Sequence, residues 1–204
     1  SAWTGRIAAL DYNQIRADPA LMKIVREDGH RLFGDNCAAC HGVNATGGKG
    51  FPNLTDRDWL WGGSPETIAQ TIAVGVNSSK SKDTRVSQML AFGRDGILDN
   101  NAVLAVTDYV LSLSDPAHAA GRTAQSVAAG QAVFAANCVA CHGPEGRGNQ
   151  ALGVPDLTDR TWLYGGDAQS VYTSVYDGRQ GEMPAWQNQL SPVDRKILVV
   201  YLLD

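Results

Sequence analysis

Apolar residues along the chain recur at helical spacing. Leu21, Ile24, Val25, Leu32 and Phe33 line one helical face, and Asp18-Pro19 ahead of them is a start signal: a capping side chain, then a proline whose missing N–H costs nothing in the first turn. Ile68 with Ile72, and Val171 with Val175, predict shorter helices after Gly63 and Gly166. Val103, Val106 and Val110, and then Ile197, Val200 and Leu203, mark the apolar faces of two further helices. Thr123 is placed to cap a helix carrying Val127, Val133 and Phe134. No run alternates long enough to suggest a sheet, so the fold class is all-α.

The pattern occurs twice. Gly29-His30-Arg31-Leu32-Phe33 matches Gly130-Gln131-Ala132-Val133-Phe134, and the segment from Phe51 to Gly63 matches that from Val154 to Gly166. Met89 aligns with Met183, and Leu98 to Ser112 aligns with Leu190 to Asp204, setting Tyr109 opposite Tyr201. Ser114 to Gly121, made of Pro, Gly and small residues, reads as a linker. The expected organisation is two tandem domains, residues 1–117 and 118–204. Gly29 and Gly130 suggest close crossings of first and last helices, with Tyr109 and Tyr201 across them.

Composition narrows the function classes. Hydrophobic residues make up 44% of the 204 positions, enough for a core, and the formal net charge of -4 carries no basic patch for nucleic acid. The longest apolar run, Ile197 to Leu203, is far short of the roughly 20 residues that cross a bilayer. A start Met and a charged, then apolar, leader are missing, so any signal or membrane anchor is expected upstream of Ser1.

All four cysteines fall in two Cys-x-x-Cys-His motifs, Cys37/Cys40/His41 and Cys138/Cys141/His142. That spacing lets two thiols add to the vinyl groups of one haem while the following His reaches its iron. Two covalent haems c are therefore expected. Zinc would need four ligands at one centre, and a thioredoxin-like site would need a βαβ setting; neither suits two distant motifs in a helical chain. Cores of about a hundred residues are marginal, so each haem should supply apolar volume that its domain needs.

The distal ligand separates electron carriage from chemistry on a bound molecule. Met183 lies in Gly181-Glu182-Met183-Pro184, on a loop between helices, where a thioether can face the iron held by His142. Met89, its counterpart, is expected at the iron held by His41. There Leu90 replaces the proline, and nine extra residues, around Asn77 to Arg85, precede the Met and predict a longer, looser solvated approach. With His and Met on each iron, the remaining chemistry is one-electron transfer. No catalytic grouping stands out beside it. Trp59, Trp61, Trp162 and Tyr164 are candidates for haem-pocket walls or plain core.

The motif Asn36-Cys37 to Gly42, the segment Pro52-Asn53-Leu54-Thr55-Asp56, the twin Trp-Leu-(Trp/Tyr)-Gly-Gly signatures and the two Met loops resemble the FixP/CcoP family, the di-haem subunit of cbb3-type cytochrome c oxidases. The resemblance covers nearly the whole chain. It implies two cytochrome c-type domains on the periplasmic side of the bacterial inner membrane, held by an upstream anchor. It also implies electron entry from a soluble cytochrome c donor, transfer to a mono-haem cytochrome c subunit, and O2 reduction in the catalytic subunit. Met ligands at both haems map onto Met89 and Met183. A free di-haem carrier of the cytochrome c4 kind, a di-haem peroxidase and a CO or O2 sensor are the competing readings.

Overall fold

A computed structural model describes residues 2–121 and 124–204. Among them are eleven α-helices, one short 3-10 turn and isolated β-bridges, with no named strand. The proposed cap at Thr123 lies outside the described residues.

The chain forms two compact units that do not follow the sequence boundary near residue 118. One unit comprises Ser1–Val86 together with Glu182–Asp204; the other comprises Ser87–Gly181. The boundary near residue 118 marks where the sequence pattern restarts. The chain instead passes from one compact unit to the other at 86/87 and at 181/182.

In the first unit, α1 (Ala2–Ala9), α2 (Tyr12–Arg16) and α3 (Pro19–Asn36) lead into the short α4 (Ala38–His41), and α5 (Pro65–Val74) follows. Asp18 caps α3 by accepting from the N–H groups of Ala20 and Leu21, with Pro19 behind it as the sequence predicts. The start of α2 carries a capping box: Asp11 accepts from Gln14 N–H while the Gln14 side chain accepts from Asp11 N–H. Periodicity alone misses both α1 and α2. They nonetheless place Ile7 and Ile15 in the core with no exposure at all. The helix that closes this core is α11 (Pro192–Leu202), from the second repeat, which buries Ile197, Leu198, Val199 and Val200.

The second unit contains α6 (Asn100–Ser114), α7 (Pro116–Ala120), α8 (Ala124–Asn137), α9 (Val139–His142) and α10 (Ala168–Asp177). Here α6, the last helix of the first repeat, packs along α8, the first of the second, around Val103, Val106, Val110 and Phe134. The expected linker is helical over Pro116–Ala120, and His118 Nε2 lies 3.1 Å from Asp108 Oδ1.

Two glycines make these crossings possible. A Cβ on Gly29 would sit 2.7 Å from the Tyr201 side chain, and one on Gly130 would sit 2.1 Å from the Ala105 carbonyl oxygen and 2.7 Å from Tyr109. The glycine–tyrosine contacts expected from sequence are present, each joining helices of different repeats. Overpacking a tight core typically costs about 1–3 kcal/mol. Gly130→Ala, which meets backbone, should lower stability by about that amount in a denaturant titration of the haem-loaded protein, and more than Gly29→Ala, which meets a side chain. Equal effects would contradict the tighter approach at Gly130.

Candidate haem sites

Each Cys-x-x-Cys-His segment is a single helical turn at the end of a long helix. The Cys37 N–H continues α3 by bonding to Phe33 O at 2.8 Å, and His41 N–H bonds to Cys37 O at 2.9 Å. The second motif repeats both bonds at the same lengths, Cys138 to Phe134 and His142 to Cys138. A glycine with positive φ then ends each turn, Gly42 at 80° and Gly143 at 77°. Burial, reinforced by the neighbouring Cys40, pushes the Cys37 thiol up to about 11, and Cys138 rises to about 11 for the same reasons beside Cys141. Such thiols stay protonated at neutral pH.

The Pro-Asn/Asp-Leu-Thr segments orient the imidazoles. His41 Nδ1 lies 3.0 Å from Pro52 O, and His142 Nδ1 lies 3.3 Å from Pro155 O. A carbonyl only accepts, so Nδ1 carries the proton and Nε2 is left unprotonated, able to ligate a metal. Burial lowers the His142 pKa against the opposing effect of Pro155 O, which favours the neutral ring that a metal requires. Asn53 and Asp156 hold these segments in turns by accepting from Thr55 and Thr158, at 2.8 Å from N–H and 2.6 Å from the hydroxyl in both copies. The proline carbonyls recur eleven and thirteen residues after the two motif histidines, which is the one signal the sequence carries for their role.

The methionines do not stay with the histidines of their own repeats. In the first unit Met183 lines a cleft with Cys37, His41, Phe33, Leu54 and Ile72. In the second unit Met89 packs on the core around Phe134, as do Cys138, Val139 and Leu157. This placement differs from the expected pairs, Met89 with His41 and Met183 with His142: Met183 shares a cleft with His41, and Met89 lies in the unit of the second motif. The cause is the helix exchange, because each Met loop travels with the closing helix that follows it. Met22, 4% exposed inside α3, is a packing residue.

Both Met loops are held alike. Met183 exchanges two backbone hydrogen bonds of 2.9 Å with Val76, and Met89 exchanges bonds of 2.8 and 3.0 Å with Arg179. Three residues further on, Trp186 N–H bonds to Ile72 O and Phe92 N–H to Val175 O, both at 3.0 Å. Leu90 thus costs the Met89 loop none of its backbone anchors. The nine-residue insertion belongs to the first unit, where Ser78 and Ser81 are buried and bond to Ala185 N–H and the Gln187 side chain, both at 3.1 Å. It braces the chain after Met183 and lies outside the Met89 loop, so the longer, looser approach expected for Met89 does not occur.

The donor set fits covalent haem in both units: paired cysteines, an imidazole fixed by a carbonyl, a thioether and an apolar surround. Among the described residues no three His, Cys, Asp or Glu side chains converge to hold a bare metal ion. The fold and these sites define a tandem cytochrome c, a class that carries covalent haem c. A profile described as cytochrome c matches residues 26–114, and one described as cytochrome C oxidase, cbb3-type, subunit III matches residues 125–202. The chain is 48% identical over 196 residues to the cbb3-type cytochrome c oxidase subunit FixP of Bradyrhizobium sp. ORS 278, covering 96% of this chain and 66% of that protein. It is 44% identical to FixP of Azorhizobium caulinodans (99% and 67% covered) and 42% identical to CcoP of Cereibacter sphaeroides (94% and 65%). The chain belongs to the FixP/CcoP family of cbb3-type oxidase subunits, and spans about two thirds of the length of these relatives.

Gly178 offers a test of the Met89 loop. Its φ is 70°, and a Cβ there would lie 2.4 Å from Met89 O. Gly178→Ala combines strain of about 1–3 kcal/mol, from a backbone region (ψ -179°) that only glycine adopts readily, with that collision. If Met89 holds an iron, the ferrous variant should bind CO more readily than the parent; a variant no more reactive than the parent would show that the loop tolerates the displacement.

Proposed function

We propose that the chain carries two covalent haems c, one per unit, with His41 and Met183 as the axial ligands of the first iron and His142 and Met89 as those of the second. The carrying observation is the meeting of Met183 with His41 and Cys37 in one apolar cleft. When bound, a six-coordinate haem supplies one-electron chemistry at a potential raised by the soft sulfur. The protein's part is to hold the donors: the proline carbonyls orient the imidazoles, and the paired rungs at Val76 and Arg179 hold the methionines. Fixed donors keep the geometry change between ferric and ferrous iron small, which speeds transfer.

The chain then acts as an electron-transfer subunit of a cbb3-type oxidase. It takes electrons from a soluble cytochrome c and passes them to the mono-haem cytochrome c subunit, from which they reach the O2-reducing catalytic subunit. The relatives are all named as oxidase subunits, which favours this role over a free carrier. No described helix is long and apolar enough to cross a membrane. A periplasmic position with an anchor upstream of Ser1 is the arrangement that suits covalent haem attachment and such a donor.

Single-haem backgrounds test the ligand pairs. With Cys138 and Cys141 replaced by Ala, only the first haem remains; there Met183→Ala should abolish the sulfur-to-ferric-iron charge-transfer band and Met89→Ala should leave it. The complementary background, without Cys37 and Cys40, should show the reverse. Loss of the band in the first background on replacing Met89 would overturn the pairing. For the oxidase role, O2 uptake by the assembled complex with the donor cytochrome should collapse when either haem is removed.

A further inference from the structure

The two units contain the same arginine arrangement, reached from different backbone positions. In the first, the Arg85 guanidinium carbon lies 4.9 Å from the centre of the Trp61 ring, and Nε donates to Thr71 Oγ1 at 3.0 Å. In the second, the Arg179 guanidinium lies 4.1 Å from the Tyr164 ring, and Nε donates to Ser174 Oγ at 2.9 Å. Trp61 and Tyr164 are equivalent in the two repeats, as are Thr71 and Ser174. The arginines are not. Arg179 directly follows the glycine that ends α10, where the first repeat has Val76, whereas Arg85 ends the inserted loop and is tied to that glycine through a 3.0 Å bond to Gly75 O. The insertion returns to the first unit the guanidinium that Val76 does not supply.

These arginines differ from others in the chain. Arg6, Arg26, Arg31, Arg94 and Arg147 each pair with an Asp or Glu. Arg85 and Arg179 are half-buried, yet neither pairs with a carboxylate among the described residues. Arg85 is also desolvated enough for its pKa to be lowered. In each, Nε is anchored and the plane is held against a ring. Among the described residues Arg179 makes no other side-chain hydrogen bond, and Arg85 adds only a long 3.4 Å bond from Nη2 to Thr67 O. An anchored guanidinium with open terminal N–H groups is a receptor built for a carboxylate, which it takes in a bidentate fork.

Both lie beside the haem sites. Thr71 adjoins Ile72, which lines the cleft with Met183, and Arg179 is itself the backbone partner of Met89. Haem carries two propionate carboxylates on the edge away from its vinyl groups. Resting on the haem reading above, we propose that Arg85 and Arg179 each bind a propionate of the haem in their own unit. Neutralising that carboxylate removes a negative charge that would otherwise stabilise ferric iron, so each arginine raises the potential of its own haem.

The test uses the haem-loaded chain, with the single-haem backgrounds assigning the signals. Arg85→Gln should lower the midpoint of the first haem, and Arg179→Gln that of the second, by about a tenfold change in the reduction equilibrium, or about 59 mV for one electron. Each substitution should also shift the propionate bending mode in the resonance Raman spectrum of its own haem. Should a Gln variant fold poorly, the Lys variant keeps the charge but loses the fork: its Raman mode should still shift while the potential falls less. Unchanged potential and Raman mode in a folded variant would overturn the proposal and leave the arginines as staples between loop and helix. The sulfur-to-iron band reports the axial ligands separately, so the two readings fail on different signals.

Discussion

Two similar repeats in one chain can each close their core with their own last helix or with the other's, and everything at the haem sites follows from which is chosen. The choice made here packs α11 on α3 and α6 on α8. Each crossing is as close as a glycine allows, but the glycine–tyrosine contact is the same in both alternatives and does not discriminate between them. The discriminating contacts lie at the chain's two ends. α1 and α2 have no counterpart in the second repeat, and their Ile7 and Ile15 share a core with α11. Lys196 donates to the carbonyls of Ala8 and Leu10, whereas the equivalent position in α6 is Leu104, half exposed. Arg26 pairs with Asp204, where the other combination offers Val127 and Ser112. Exposed pairs of this kind contribute little individually; burial of the N-terminal helices supplies the larger preference.

Sequence made the helices, the caps and the haem attachment points legible because each depends on residues within a few positions of one another. Asp18-Pro19 and the two Cys-x-x-Cys-His turns need no tertiary information. The partner of each methionine was not legible, and the reason is the repeat itself. Tyr109 and Tyr201 are interchangeable by pattern, so a contact between first and last helices can be inferred without knowing whose last helix it is. The insertion misleads for a related reason. Counted along the chain it precedes Met89, but in space it belongs beside Met183, with Ser78 and Ser81 buried there. The capping box at Asp11 and Gln14, by contrast, was in plain view and would have revealed α2.

The sites share an economy of means. One helix turn presents two thiols and an imidazole, a proline carbonyl fixes the tautomer, and two backbone bonds hold the thioether. None of these needs a charged group in the apolar pocket, which keeps the local dielectric low and makes any charge at its edge count for more in setting the iron's potential. Arg85 and Arg179 are placed where such a charge would be felt, and their convergence from unrelated backbone positions argues that the placement matters more than the route.

The connectivity also sets an order of events in time. Residues 87–181 are continuous, so the second unit has all its parts as soon as that stretch emerges from synthesis. The first unit has its cysteines early but must wait for residues 182–204 to deliver both its closing helix and Met183. Joining segments so far apart in the chain is slow, since the entropy of closing the intervening loop is lost before contacts repay it. The N-terminal cysteines are thus exposed first and enclosed last. The first site therefore stays open until residues 182–204 fold onto it.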